Sequence, residues 1–373
     1  MKKNLNRRKL IQLAVSGFLA QSCKIPGLGR DIFSFFDKGK EKTSSKTNEY
    51  IYSGYRVGEP YKTEEVGLHI GGVNHSLNKK VKLKNEIHSI VYSPQDDSKL
   101  FISKLDKYSY CQRGEGEFIE FSAVKDHYFY GHAAFDNLRN VIYTTQAKIT
   151  KNRHDEEQEK SLGKIFIYSV DTLEVIGEFE TFGSDPHDLK IVNDELVVCN
   201  GGVDSNVAFI NLETKKLVKS FPINEENISL RHCEIIDSEN FIIASLSRNI
   251  VSPCGIYLLN KDKGFIQYRM PKKLEEALAL RQFLSVLYYN GVVFATCPAA
   301  NNVLAWKLTG EFIGAHSITS ANNLSYSPTY KGVIVGTGLL GSHAHLLKVI
   351  DQNVVVSKLN HLKDLTGSHA TII

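Results

Sequence analysis

Histidine recurs in this chain at the mouths of apolar runs. His88 opens HSIVYSP, His132 opens HAAFDN, His187 opens HDLKIVND, His232 opens HCEIID and His369 opens the closing HATII. Counting the related FLSVLYYN at 283 and NNLSYSP at 322, successive starts fall about 40 to 55 residues apart. Neutral imidazole is a common ligand for zinc, copper, iron and nickel. Five imidazoles brought to one place would make a metal site or, when protonated, an anion site. Asp188 and Glu234 stand next to or near two of the histidines, where a carboxylate can orient a ligating ring or bind an ion directly. Arg231 and Arg281 precede two of the run starts and favour an anionic ligand. Asn322 takes the histidine's place in the run at 322, and the run at 283 offers only Phe283 or Leu284. A purely structural reading competes, in which each imidazole hydrogen-bonds backbone or channel water.

The elements that must position these residues repeat with them. HDLKIV, ELVVCN, VAFINL and KLVKSFPI follow one another between 187 and 223, separated by the turn segments ND, GGVDSN and ETKK. Short runs rich in β-branched and aromatic residues, punctuated by turn signals, predict β-strands. Four strands in each unit of roughly 40 to 50 residues predict a β-propeller blade. Six units fill residues 88–368. HATII at the C-terminus then lacks partners, and YIYSGYR, VGLHIGGV and KKVKLK near the N-terminus lack a first strand. Joining them predicts an all-β, seven-bladed β-propeller over residues 50–373, its first blade closed by the C-terminal strand, which removes two open sheet edges. Blade geometry places the first strand of each unit along the axis, so the five histidines converge on one funnel. PKKLEEALALRQF predicts a short peripheral helix beginning near Pro271.

Other histidines (69, 75, 127, 154, 316, 343, 345 and 361) fall off this register and are expected in loops, at the surface or on edge strands. His343 and His345 form an HxH pair, a weaker second candidate for a metal. None of the cysteines forms a CxxC pair, which argues against a zinc-ribbon site, and several sit in apolar strand patterns as small buried hydrophobes.

The net charge of +4 misleads about the body of the protein. The first 23 residues hold five of the 45 Lys and Arg and no acid, leaving 40 basic against 41 acidic residues. A near-neutral body argues against nucleic acid as the main partner. MKKNLNRRKL followed by LIQLAVSGFLA is expected to be an export signal (residues 1–23), with Arg7-Arg8 in a twin-arginine-like setting. Ala20-Gln21-Ser22-Cys23 resembles a lipoprotein cleavage box with Cys23 as the lipidated residue; simple cleavage is the alternative. Residues 24–49 are expected to be a flexible linker. The expected location is the periplasm, with membrane contact only through an N-terminal anchor.

FYGHAAFD (129–136), GSDPHDLKIV (183–192), VVCNGGV (197–203) and SLRHCEI (229–235) together resemble the bacterial exported propeller family filed as domain of unknown function 1513, which is YVTN/WD-repeat-like. Ala133, Asp185 and Asp188 depart from the residues usual in that family. The resemblance implies an exported propeller whose genes commonly accompany periplasmic iron-uptake proteins and haem-containing oxidoreductases. It carries no catalytic residues. The expected function is binding of iron, copper or zinc, or a metal-linked ligand, auxiliary to iron acquisition. The alternative is a non-catalytic interaction scaffold in the cell envelope, for which the charged insertion at 150–161 is a candidate contact. No serine-nucleophile motif, phosphate loop or dinucleotide fingerprint supports an enzyme.

Overall fold

A computed structural model describes residues 48–59, 62–148, 162–249, 254–278 and 280–373. The export signal, Cys23 and most of the linker lie outside these residues, as do the insertion at 150–161 and His154. Among the described residues no helix is long and apolar enough to cross a membrane.

The fold is all-β. Strands Pro186–Val192, Glu195–Asn200, Asn206–Asn211 and Leu217–Pro222 form one antiparallel four-stranded meander. Burial falls from its first strands to its last: residues 195–200 are almost wholly covered, whereas 217–220 face outward. That gradient is why LVVC at 196–199 is continuously apolar while KLVKSFPI mixes lysines with its valine and leucine. Residues 228–267, 285–317 and 321–363 form three more such sheets. The strands between 87 and 184 form two further meanders that join into one eight-stranded sheet, because the end of Ser98–Asp106 pairs with His127–Asp136.

The first and last described strands meet. Ala370–Ile372 pairs antiparallel with Tyr50–Glu59, and Lys62–Gly72 and Asn78–Lys82 complete that sheet. The buried Glu49 carboxylate fastens the entry of the chain, accepting from Ser327 Oγ at 2.8 Å and from Thr329 N at 2.6 Å. Apolar clusters fill the spaces between successive sheets; one contains Phe209, Leu230, Phe241 and Tyr257. All five cysteines after Cys23 are buried and outside any disulfide. The helix foreseen after Pro271 spans only Lys272–Ala277 and buries nothing. It stops because Leu278 returns to the extended region.

Candidate metal centre

The innermost strands carry a bulge where the histidines fall. Ile87 pairs with Ser103 and Ser89 with Ile102, leaving His88 as the extra residue. His187 is the extra residue between Pro186 and Asp188, and Asn322 between Ala321 and Asn323. In the strand Ile228–Ile235, however, the extra residue is Arg231, and His232 already pairs with Ala244. The spacing suggests five equivalent histidines, but His232 enters one position later than His88 and His187. A bulge re-aims side chains by local twist, which lets both positions reach one centre. Gly131 gives the rings room. It has φ +105°, and a Cβ there would lie 2.5 Å from His88 Cδ2.

All five rings meet. Ring centroids lie 4.7 Å apart for His187–His232 and His232–His369, 4.9 Å for His88–His369, and 5.1 Å for His132–His187. Two sets of three, His88/His132/His369 and His132/His187/His232, have ligand atoms all within 4.8 Å of one another. Separations of this size let a central ion make nitrogen contacts of about 2.0–2.1 Å after small shifts. His132, His187 and His232 are buried, and His88 and His369 nearly so.

Asp188 organises the layer. Its Oδ1 lies 3.2 Å from His132 Nδ1 and accepts from Leu189 N at 2.8 Å; its Oδ2 accepts from Cys233 N at 3.0 Å. Lys190 Nζ stands 3.4 Å from Oδ1. Burial alone would raise the Asp188 pKa, but Lys190 and the neighbouring imidazoles hold it well below the usual carboxylate range. An ionised Asp188 requires a proton on His132 Nδ1, so His132 Nε2 carries the lone pair. That Nε2 is buried and without a partner among the described residues. The same holds for His88 Nε2, His187 Nδ1, His369 Nε2 and both ring nitrogens of His232. Burial, reinforced by Lys104 and by neighbouring rings, pushes the pKa values of His88, His187, His232 and His369 well below the ordinary 6.5. That of His132 is also lowered by burial, against the pull of Asp188. These shifts favour the neutral ring, the state a metal needs.

Two different surroundings border this layer. On the side from which the strands enter, Lys104 Nζ lies 2.9 Å from His187 Nε2 and 5.5 Å from the Tyr130 ring centroid. Arg231 Nη1 meets Asp185 Oδ2 at 3.2 Å. Burial and Arg231 pull the Lys104 pKa down to about 7. On the side toward which the strands run, a cavity of about 250 Å³ is lined by His132, His232 and His369 together with Lys190, Glu234 and Ser285. Burial pushes the Glu234 carboxyl up to about 7, and it accepts from Tyr288 N at 3.3 Å.

The structure thus brings together His88, His132, His187, His232, His369 and Asp188, with Arg231 and Glu234 just beyond them. Arg281 and Asn322 do not join. Arg281 is exposed and its carbonyl accepts from Ser247 N; the Asn322 amide donates to Thr366 O at 3.4 Å. Both follow from the backbone: Arg281 precedes a strand that begins only at Ser285, and the Asn322 bulge leaves its short amide within reach of Thr366 O. His343 and His345 share a strand, but among the described residues no third ligand completes a set with them. His69, expected at an edge or surface, is fully buried and bonded to Asn78 Oδ1 at 2.7 Å. Lys104, Tyr130, Asp185 and Lys190 had no signal in histidine spacing. Lys104 reaches the centre from a second strand through its Cα pairing with Tyr130, a register invisible in the repeat.

A family model described as a protein of unknown function (DUF1513) matches residues 81–362. The chain belongs to this family. Its fold is similar to a chain in a crystal structure of a mitotic checkpoint complex, with a TM-score of 0.58 and 9% identity over 95% of this chain and 91% of that one. That likeness supports a WD40-like, propeller-like all-β fold. No curated protein matches the chain.

Proposed function

We propose that this DUF1513 protein binds a first-row transition-metal ion, or a ligand linked to one, through its central histidines. The observation that carries the reading is His132. Its Nδ1 is tied to an ionised, buried carboxylate and its Nε2 is buried without a partner, within 4.8 Å of ligand atoms of two more imidazoles. Buried polar atoms without partners are uncommon, and a carboxylate–imidazole pair aimed at a shared point is a usual arrangement around a bound metal. Structural hydrogen bonding accounts poorly for six unpartnered ring nitrogens in one layer. An all-imidazole set suits zinc, copper, iron or nickel, and disfavours magnesium and calcium, which prefer oxygen. His132 belongs to both possible sets of three, so its loss affects either.

The finer architectural reading is a seven-bladed propeller: the six sheets divide into seven four-stranded meanders, with the first closed by Ala370–Ile372. We further propose a periplasmic, lipid-anchored protein that serves iron acquisition, a reading supported by the N-terminal residues and the family resemblance alone.

The test is elemental analysis of the purified mature protein, aerobically and under reduction, with His132→Ala, His187→Ala and His232→Ala beside it. One ion per chain is expected, raising the melting temperature on loading because only the folded state presents the site. Loss of His132 is expected to weaken binding most. Absence of stoichiometric zinc, copper, iron and nickel in a folded wild-type protein under both conditions overturns the reading.

A further inference from the structure

The cavity beside the imidazoles has the size and charge of a second binding site. Its volume of about 250 Å³ corresponds to roughly eight waters at about 30 Å³ each. It shares His132, His232 and His369 with the candidate metal set, whereas His88 and His187 do not line it. A metal held by this layer therefore has its reachable side toward the cavity.

An imidazole binds a metal only as the neutral ring, so the ligands bring no charge of their own. Asp188 is answered by Lys190, and Glu234 lies on the same wall. Asp188 also spends its oxygens on His132, Leu189 and Cys233. It cannot swing toward the ion without abandoning them. A divalent metal thus introduces positive charge that neutral imidazoles do not compensate, and buried net charge is costly. Lys190 approaches Asp188 only at 3.4 Å and its side chain is 37% exposed, so ammonium donors remain for a ligand in the cavity. Ser89 and Thr371, in contrast, spend their hydroxyls on Gly131 O and Ile90 O.

We infer that the cavity is the site of a small oxyanion, a monocarboxylate or bicarbonate, which coordinates the metal on one side and meets Lys190 on the other. This rests on the metal reading above. The protein is therefore a receptor for a metal together with its anion rather than for the bare ion.

The test uses cobalt(II), whose visible spectrum reports its coordination, titrated into the full mature protein in anion-poor buffer and then with acetate or bicarbonate. Each addition is expected to change the cobalt spectrum and tighten apparent cobalt binding by about tenfold or more, equivalent to about 1.4 kcal/mol. In Lys190→Met the anion effect falls several-fold. Leu287→Phe, which narrows the cavity at an apolar lining position, provides a second variant and is expected to weaken the anion effect. Stoichiometric cobalt whose spectrum and affinity ignore both anions overturns this inference and leaves the metal reading standing. No bound cobalt, zinc, copper, iron or nickel overturns both.

Discussion

The two sides of the imidazole layer are built differently. On the entry side, Lys104, Tyr130, Asp185 and Arg231 interlock, and a cation rests directly on a ring, at His187. On the far side a carboxylate rests on a ring, at His132, and open space follows. A cation beside an imidazole disfavours its protonation; an anion beside one fixes its proton and frees the opposite nitrogen. Asp188 and the cavity thus favour binding, while Lys104 and Arg231 keep the rings neutral. On the proposed reading the far side is the working face and the entry side its lock.

Removing the anion is expected to have the largest effect on this contrast. Asp188→Ala leaves a buried imidazole nitrogen, the Cys233 amide and Lys190 without their acceptor. Breaking such a buried network costs about 3–5 kcal/mol. Chemical denaturation of the metal-free protein should show a loss of that size. Asp188→Asn keeps the shape and loses the charge, and is expected to weaken metal binding by about 10- to 100-fold, the usual result of losing an outer partner of a ligating histidine. A competition titration with a chelator measures it. An Asp188→Asn protein that binds metal as the wild type does would remove the reason for calling the far side the working face.

Reversing the contrast through pH comes next. The folded-state pKa values of the central histidines are depressed, so their contribution to stability is present above the ordinary 6.5 and is lost as pH falls below it. Lys104, lowered to about 7 from 10.5, acts in the same direction at higher pH, its contribution declining from above 10.5 down through 7. Glu234, raised to about 7 from 4.5, has the opposite sign: its contribution is complete below 4.5 and fades as pH rises through 7. Melting curves of the metal-free protein should therefore fall steeply between pH 6.5 and the acid range. Lys104→Met should flatten the decline between about pH 10 and 7, and Glu234→Gln should raise the melting temperature at pH 8 but not at pH 4. Equal pH profiles for wild type and Lys104→Met would show that the entry side is not a lock.

Much of this was legible because repetition transmits position. His88, His132, His187, His232 and His369 mark the starts of the repeated apolar runs, and axial strands gather what begins them. The off-by-one entry of His232 was not legible, since a bulge exchanges Arg231 for the histidine without altering the spacing of the runs. Lys104 and Lys190 were missed for a different reason. A lysine in an alternating strand reads as a solvated face, and only the closeness of several strands at an axis makes it a partner of buried rings. His69 fails in the other direction: it sits outside the repeat, yet neighbouring Gly71 and the Asn78 amide oxygen make room for a buried, bonded ring.

Gly131→Ala perturbs the layer from the backbone with a smaller expected effect. Its φ of +105° disfavours any side chain, and the added methyl meets His88 at 2.5 Å. A cost of about 1–3 kcal/mol is expected from the strained backbone. Because His88 lies off the cavity, the anion effect should persist while His88 shifts, which histidine ring NMR signals can follow. Loss of the anion response in a folded Gly131→Ala protein would place His88 on the working face after all.

Arg281→Ala should change least. Arg281 is exposed, and the contact that ties its position, Ser247 N to its carbonyl at 2.8 Å, belongs to the main chain and survives truncation. Metal affinity, the anion effect and melting temperature should all stay near wild type, with stability within about 0.5 kcal/mol as for most surface substitutions. The contrast with Arg231 is then informative, because the two arginines look alike in sequence, each just ahead of an apolar run. Arg231 lies in a bulge at the layer and its charge bears on His187, whereas Arg281 is separated from its strand by three residues. A loss of metal or anion binding in Arg281→Ala comparable to that in Arg231→Ala would mean that charge at the entry acts through the general field of the channel rather than through contact with the rings.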